Sequence, residues 1–139
     1  MGKINWGRVF LGSLVWFGVL HLMGWVVYPL FLRAEWVAAL EASGRPFHEP
    51  AAFTVFVLVS VPAAVFAIWL YAAIRPRYGP GPMTAIRAGF AMWLIGLLLP
   101  ILVAARLLQL PARFVIAEAG ATLVSVVVAT VVGAWRYKE

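Results

Sequence analysis

Glu118 is the one charged residue in the apolar run 114–135, "FVIAEAGATLVSVVVATVVGAW". A carboxylate in such surroundings has two solutions. It accepts hydrogen bonds from a partner, or it holds a proton. Paired, it clamps helices together; protonated, it can carry a proton. His21 and Ser60 stand in two other apolar runs, and Arg106 just precedes the run that holds Glu118. The chemistry open to this set is narrow. Glu118 can pair with His21 or Arg106, bind a cation, or relay a proton. His21 can serve as a single axial ligand to haem or chlorophyll. Nothing resembles a nucleophile, its base and an orienting group, nor an acid pair at hydrolase spacing. The chain has no Cys and only two His, the second being His48 in a loop, so no metal site is expected. The expectation is a protein that is not an enzyme. No cofactor is expected beyond what His21 alone could hold.

The elements that must position these residues follow from composition. The 139 residues are 65% hydrophobic and 12% charged, about half the charge of a soluble domain. Mean hydropathy is +0.98. A water-soluble chain of this size could not bury so much apolar surface. Four long windows, about 9–32, 51–74, 83–105 and 111–135, are each near the ~20 residues that cross a bilayer core. Backbone polar groups in lipid must be satisfied within the segment, so all four are helices. The fold expected is all-α: a single polytopic domain, residues 1–139, with four transmembrane helices in an antiparallel bundle. The first window is too long for a signal-peptide core and is read as retained.

Depth brings the polar residues together. At 1.5 Å per residue, Glu118 lies roughly 10 Å below the outer end of its helix, and His21 and Ser60 roughly 13 Å. On span four, Glu118, Thr122, Ser125 and Ala129 share one stripe. On span one, Ser13, Phe17, His21, Gly24 and Tyr28 do the same. These stripes predict an outward-opening pocket between spans one and four, lined by Glu118, His21, Arg106, Ser60, Thr122 and Tyr28. Arg113 is a poor partner for Glu118, being about 140° around the helix.

Small residues give a second pattern. Ala117, Ala121, Ser125, Ala129 and Gly133 recur every fourth position on span four, and Ala85, Gly89 and Gly96 form a shorter set on span three. Such stripes let helix backbones approach closely. They predict either packing of span three on span four or a seam for another chain.

The connections orient the bundle. The loop "RPRYGPGPMT", 75–84, is expected to end the second helix near Arg75 and to start the third at Pro82. Its Arg75, with Arg77 and Arg87, are topology anchors that could also contact anionic lipid. The outer segment "RAEWVAALEASG" reads as a short interfacial helix with Trp36, Val37 and Leu40 on one side, ended by Gly44 and Pro46. Pro62 and Pro100 fall inside spans, where they favour kinks. Trp16 and Trp93 lie too deep for an interfacial belt and should pack between helices or against lipid. One side of the membrane carries Lys3, Arg8, Arg75, Arg77, Arg87, Arg136 and Lys138; the other carries Arg33, Arg45, Arg106 and Arg113. The excess predicts cytoplasmic termini. The net charge of +6 is then a topology signal rather than a sign of nucleic-acid binding.

"INWGRVFLGSLV", "WLYAAIRPRYGPGPMTA" and "GAWRYKE" together resemble a family of small four-span bacterial membrane proteins. The resemblance covers about a third of the chain. It implies a four-span fold and a bacterial inner-membrane location, and no activity. The leading expectation is a non-enzymatic accessory subunit or homo-oligomer joined through small-residue seams. Alternatives are a proton- or cation-coupled transporter or channel using Glu118, and a binder of lipid, quinone or pigment in the pocket. Partners beyond the bilayer would be a second copy or a larger membrane complex, and no nucleic acid.

Overall fold

The computed structural model describes residues 4–42, 44 and 49–137. Lys3, Arg45, Pro46, His48 and Lys138 lie outside them. Four helical rods are long and apolar enough to cross a membrane, Trp6–Ala42, Pro50–Tyr78, Pro82–Leu108 and Ala112–Trp135. The described residues contain no strand. The first rod comprises α1 (Trp6–Val27), a π turn at Tyr28–Leu32 and α2 (Arg33–Ala42). The second is α3 (Glu49–Tyr78). The third comprises α4 (Pro82–Trp93), a π turn at Leu94–Leu98 and α5 (Leu99–Leu108). The fourth is α6 (Ala112–Trp135).

A proline accompanies each π turn. Pro29 and Pro100 have no N–H to give, and their rings crowd the preceding turn. The helix widens instead, with Arg33 N bonded to Tyr28 O and Leu99 N to Leu94 O, five residues back. The first rod is therefore uninterrupted from α1 into α2. The outer helix is not a separate surface element but a continuation of span one. At 1.5 Å per residue the 37-residue rod is roughly 55 Å long, well beyond a ~30 Å core. Gly44, at φ 71°, turns the chain after it.

At the other end the second helix does not stop at Arg75. It continues through Pro76 to Tyr78, and the reversal comes at Gly79 and Gly81, whose φ values are 82° and 135°. Positive φ is open to glycine at little cost, so glycine rather than proline sets this boundary. Thr84 Oγ1 donates to Gly79 O at 2.8 Å and braces the hairpin. Pro82 sits in the first turn of α4, as expected.

The core lies along α6, which packs against both α1 and α4. Closest approach is at glycine. A Cβ on Gly133 would stand 2.8 Å from Gly12 O, and one on Gly12 2.8 Å from Gly133 O. Gly89 meets α6 in the same way, its Cβ position 3.1 Å from Val127 Cα. Ser125, Ala129 and Gly133 are buried by this packing, as are Ala85 and Gly89. The predicted seam is thus used within the chain, and its partners are α1 as well as α4. It does not run its full length. Ala117 is exposed, and Gly96 is exposed with nothing near its Cβ position. Both stand beyond the tight half of the bundle.

The half of the bundle away from Asn5 and Tyr137, the outer half in the orientation expected from the basic residues, is open. No residue of Leu94–Leu98 or Leu99–Leu108 is buried, and none of 50–59 is. The end of the bundle that holds Asn5 and Tyr137 is closed by a polar and aromatic cluster. Tyr137 OH accepts from Asn5 N at 3.1 Å, and Tyr71 OH from Gly81 N at 3.3 Å. The two rings meet edge to face at 6.1 Å. Asn5, Tyr137 and the 79–81 turn therefore share one end of the bundle.

Candidate functional site around Glu118

Three tryptophans donate to α6. Trp16 Nε1, on α1, reaches Thr130 Oγ1 at 2.9 Å. Trp93 Nε1, at the end of α4, is shared between Ala119 O at 3.0 Å and Thr122 Oγ1 at 3.2 Å. Trp36 Nε1, on α2, reaches Glu118 Oε2 at 3.3 Å. An indole carries one donor on a large apolar body, so it can cross a helix interface and still satisfy a polar group. Trp16 and Trp93 do pack between helices.

Glu118 is half-buried. Its partner is an indole and not the predicted histidine or arginine. Trp36 also sets its ring edge against Phe114, with centroids 5.0 Å apart at 83°. Nearby, Arg113 Nε lies 3.2 Å from Glu35 Oε2, which ties the start of α6 to α2 a second time. The far end of the first rod is thus tied to the start of α6, with the Trp36 ring set against Phe114 and Glu118. Thr122 is beside it on the stripe, its hydroxyl donating to Glu118 O at 2.7 Å. Among the described residues no basic side chain pairs with the carboxylate.

His21 belongs to a different place. Its Nδ1 is 2.8 Å from Phe17 O, which can only accept, so the proton sits on Nδ1. Nε2 faces Ser60 Oγ at 3.5 Å, and the ring lies between Phe17 and Phe56. The reason is rotation. His21 is five residues from Trp16, about 140° around the helix. Since Trp16 points at α6, His21 points at α3. Nε2, the atom an axial haem or chlorophyll ligand would use, looks onto buried Ser60. Arg106 is exposed at the end of α5, and Tyr28 is half-buried at the π turn. The predicted pocket between spans one and four therefore divides. Glu118 and Thr122 stay together, His21 lies beside Ser60, whose hydroxyl donates to Val57 O at 2.8 Å, and Arg106 joins neither.

The loop arginines separate too. Arg75 lies over the Tyr137 ring at 5.7 Å and Arg87 over Tyr78 at 4.9 Å, both within cation–π range, while Arg77 is exposed. Among the described residues no three metal-ligating side chains come together. Compared with family models, curated proteins and solved structures, the chain matches none.

Sequence reading missed Trp36 and Thr130. The signal for Trp36 was available: it heads the apolar stripe of the outer helix and carries a donor that must go somewhere.

Proposed function

We propose that this chain is a non-enzymatic membrane subunit that docks another transmembrane helix on the outer half of α6. The observation that carries this is how the small-residue stripe divides. Ser125, Ala129 and Gly133 are closed by the chain's own helices, whereas Ala117 is exposed. Gly120, one turn on, is exposed with nothing within 4 Å of its Cβ position. Val124 and Val128 continue that exposed face. Small residues there let another backbone approach where this chain supplies none. In this reading the protein sits in a bacterial inner membrane with cytoplasmic termini. The basic bias and the boundary motifs support that placement.

The absence of cysteine makes the test direct. Ala117→Cys and Val124→Cys are expected to cross-link in native membranes, to a second copy or to another chain, and buried Ala129→Cys is not. Gly120→Leu should leave the monomer folded and weaken association about tenfold, or ~1.4 kcal/mol. Cross-linking no better than at Ala129, with association unchanged by Gly120→Leu, sinks the proposal.

A second reading, proton or cation coupling through Glu118, is favoured by its lack of a basic partner among the described residues. It requires pH-dependent flux in proteoliposomes that Glu118→Gln abolishes. Silence at every pH counts it out.

A further inference from the structure

A cleft of about 450 Å³ opens at the inner end between α1 and α6, lined by Arg8, Val15, Val132, Trp135 and Arg136. Its charge and its apolar wall are separated by depth. Arg8 is in the first turn of α1 and Arg136 caps the end of α6, so both guanidiniums stand at the mouth. Val15 lies two helical turns further in, roughly 10 Å, and Val132 one turn, roughly 6 Å. Trp135, 77% exposed, stands at the rim where an amphipathic ring suits the headgroup layer.

We propose that this cleft holds an anionic phospholipid, its phosphate between Arg8 and Arg136 and an acyl chain along Val15 and Val132. Three observations converge on that occupant. Among the described residues no acid lines the cleft. Among the described residues neither arginine has an ion-pair partner, in contrast to Arg113, which is held by Glu35. Of the three loop arginines first expected to meet lipid, Arg75 and Arg87 rest on tyrosine rings, and Arg77 is exposed away from this cleft. Basic clefts between transmembrane helices are suited to phosphate headgroups, and the valine wall suits an alkyl chain rather than water. A free phosphate would satisfy the arginines but would leave that wall uncovered.

The test uses the full chain in mild detergent, with bound lipid counted by native mass spectrometry. Phosphatidylglycerol and phosphatidylcholine are titrated separately, and inorganic phosphate is added as competitor. Phosphatidylglycerol should bind preferentially. At about 1 kcal/mol per basic residue, Arg8→Gln with Arg136→Gln should weaken it roughly 30-fold. Arg33→Gln with Arg106→Gln, the same change in net charge at the other end, should leave it within about twofold. Val132→Trp, which fills the cleft and keeps both charges, should also lose the lipid. Equal binding of the two lipids, equal losses from the two arginine pairs, or tight lipid binding by Val132→Trp overturns the proposal. Displacement of the lipid by millimolar inorganic phosphate overturns the lipid as the source of the phosphate chemistry.

Discussion

Gly133→Ala is expected to lower the unfolding free energy by about 3 kcal/mol, the upper part of the range for overpacking. The added methyl group would stand 2.8 Å from Gly12 O, 2.8 Å from Ile68 Cδ1 and 3.1 Å from Trp16 Cβ. The isoleucine end can turn away, but the carbonyl is backbone and can move only with α1. Any such shift also strains the 2.9 Å bond from Trp16 to Thr130. Gly12→Ala meets the same approach from the other side, at 2.8 Å from Gly133 O. The two changes therefore share one displacement, and their combined cost should fall short of the sum. Gly120→Ala is the control. It meets nothing and should stay within about 1 kcal/mol of the unchanged chain, since alanine is the better helix former. Reversible unfolding in bicelles separates these cases. Equal stabilities for Gly133→Ala and Gly120→Ala would show that the glycine crossing does not hold the bundle.

Trp36→Phe is expected to cost about 2 kcal/mol and to loosen the outer helix. Phenylalanine keeps the ring that meets Phe114 but removes the N–H that reaches Glu118. The half-buried carboxylate then has no protein donor among the described residues. Interhelical hydrogen bonds in membranes average only about 0.6 kcal/mol, because separated helices find other partners. Leaving a half-buried acceptor unmet adds a desolvation cost, which makes this bond worth more than the average. Glu118→Gln should be mild, within about 1 kcal/mol, because the amide oxygen still accepts from the indole. The double variant should recover part of the loss. A double-mutant cycle with coupling near zero would mean that Trp36 and Glu118 are neighbours without being partners. Cleavage of an introduced protease site near Gly44 provides a second readout, rising when α2 comes away.

The rods were legible because crossing lipid demands length, and an apolar run of 20 residues has few other uses. Helix ends were harder. Pro76 looked like the stop after Arg75, yet a proline near the end of a helix removes only one bond. The chain turned where glycine permitted positive φ. The polar site was least legible. Depth along a helix can be counted from sequence, and it placed Glu118, His21 and Ser60 at similar levels. Azimuth between helices cannot be counted until one contact fixes it. Once Trp16 is known to face α6, the turn of 140° sends His21 toward α3. The seam was half legible for the same reason. Its four-residue spacing marked close packing, but which helix would fill each half depended on where the bundle splays.

The tryptophan bonds also bear on the order of assembly. Trp16, Trp36 and Trp93 all precede α6 in the chain, and each spends its N–H on that helix. During synthesis the first three rods enter the membrane with these donors unmet and with the Gly12 and Gly89 hollows unfilled. They can pack on one another through α3, but the closest helix crossings wait for α6. Arrival of α6 supplies every acceptor and fills both hollows together. The bundle is therefore locked by α6, the span on which all three indole donors and both glycine crossings converge.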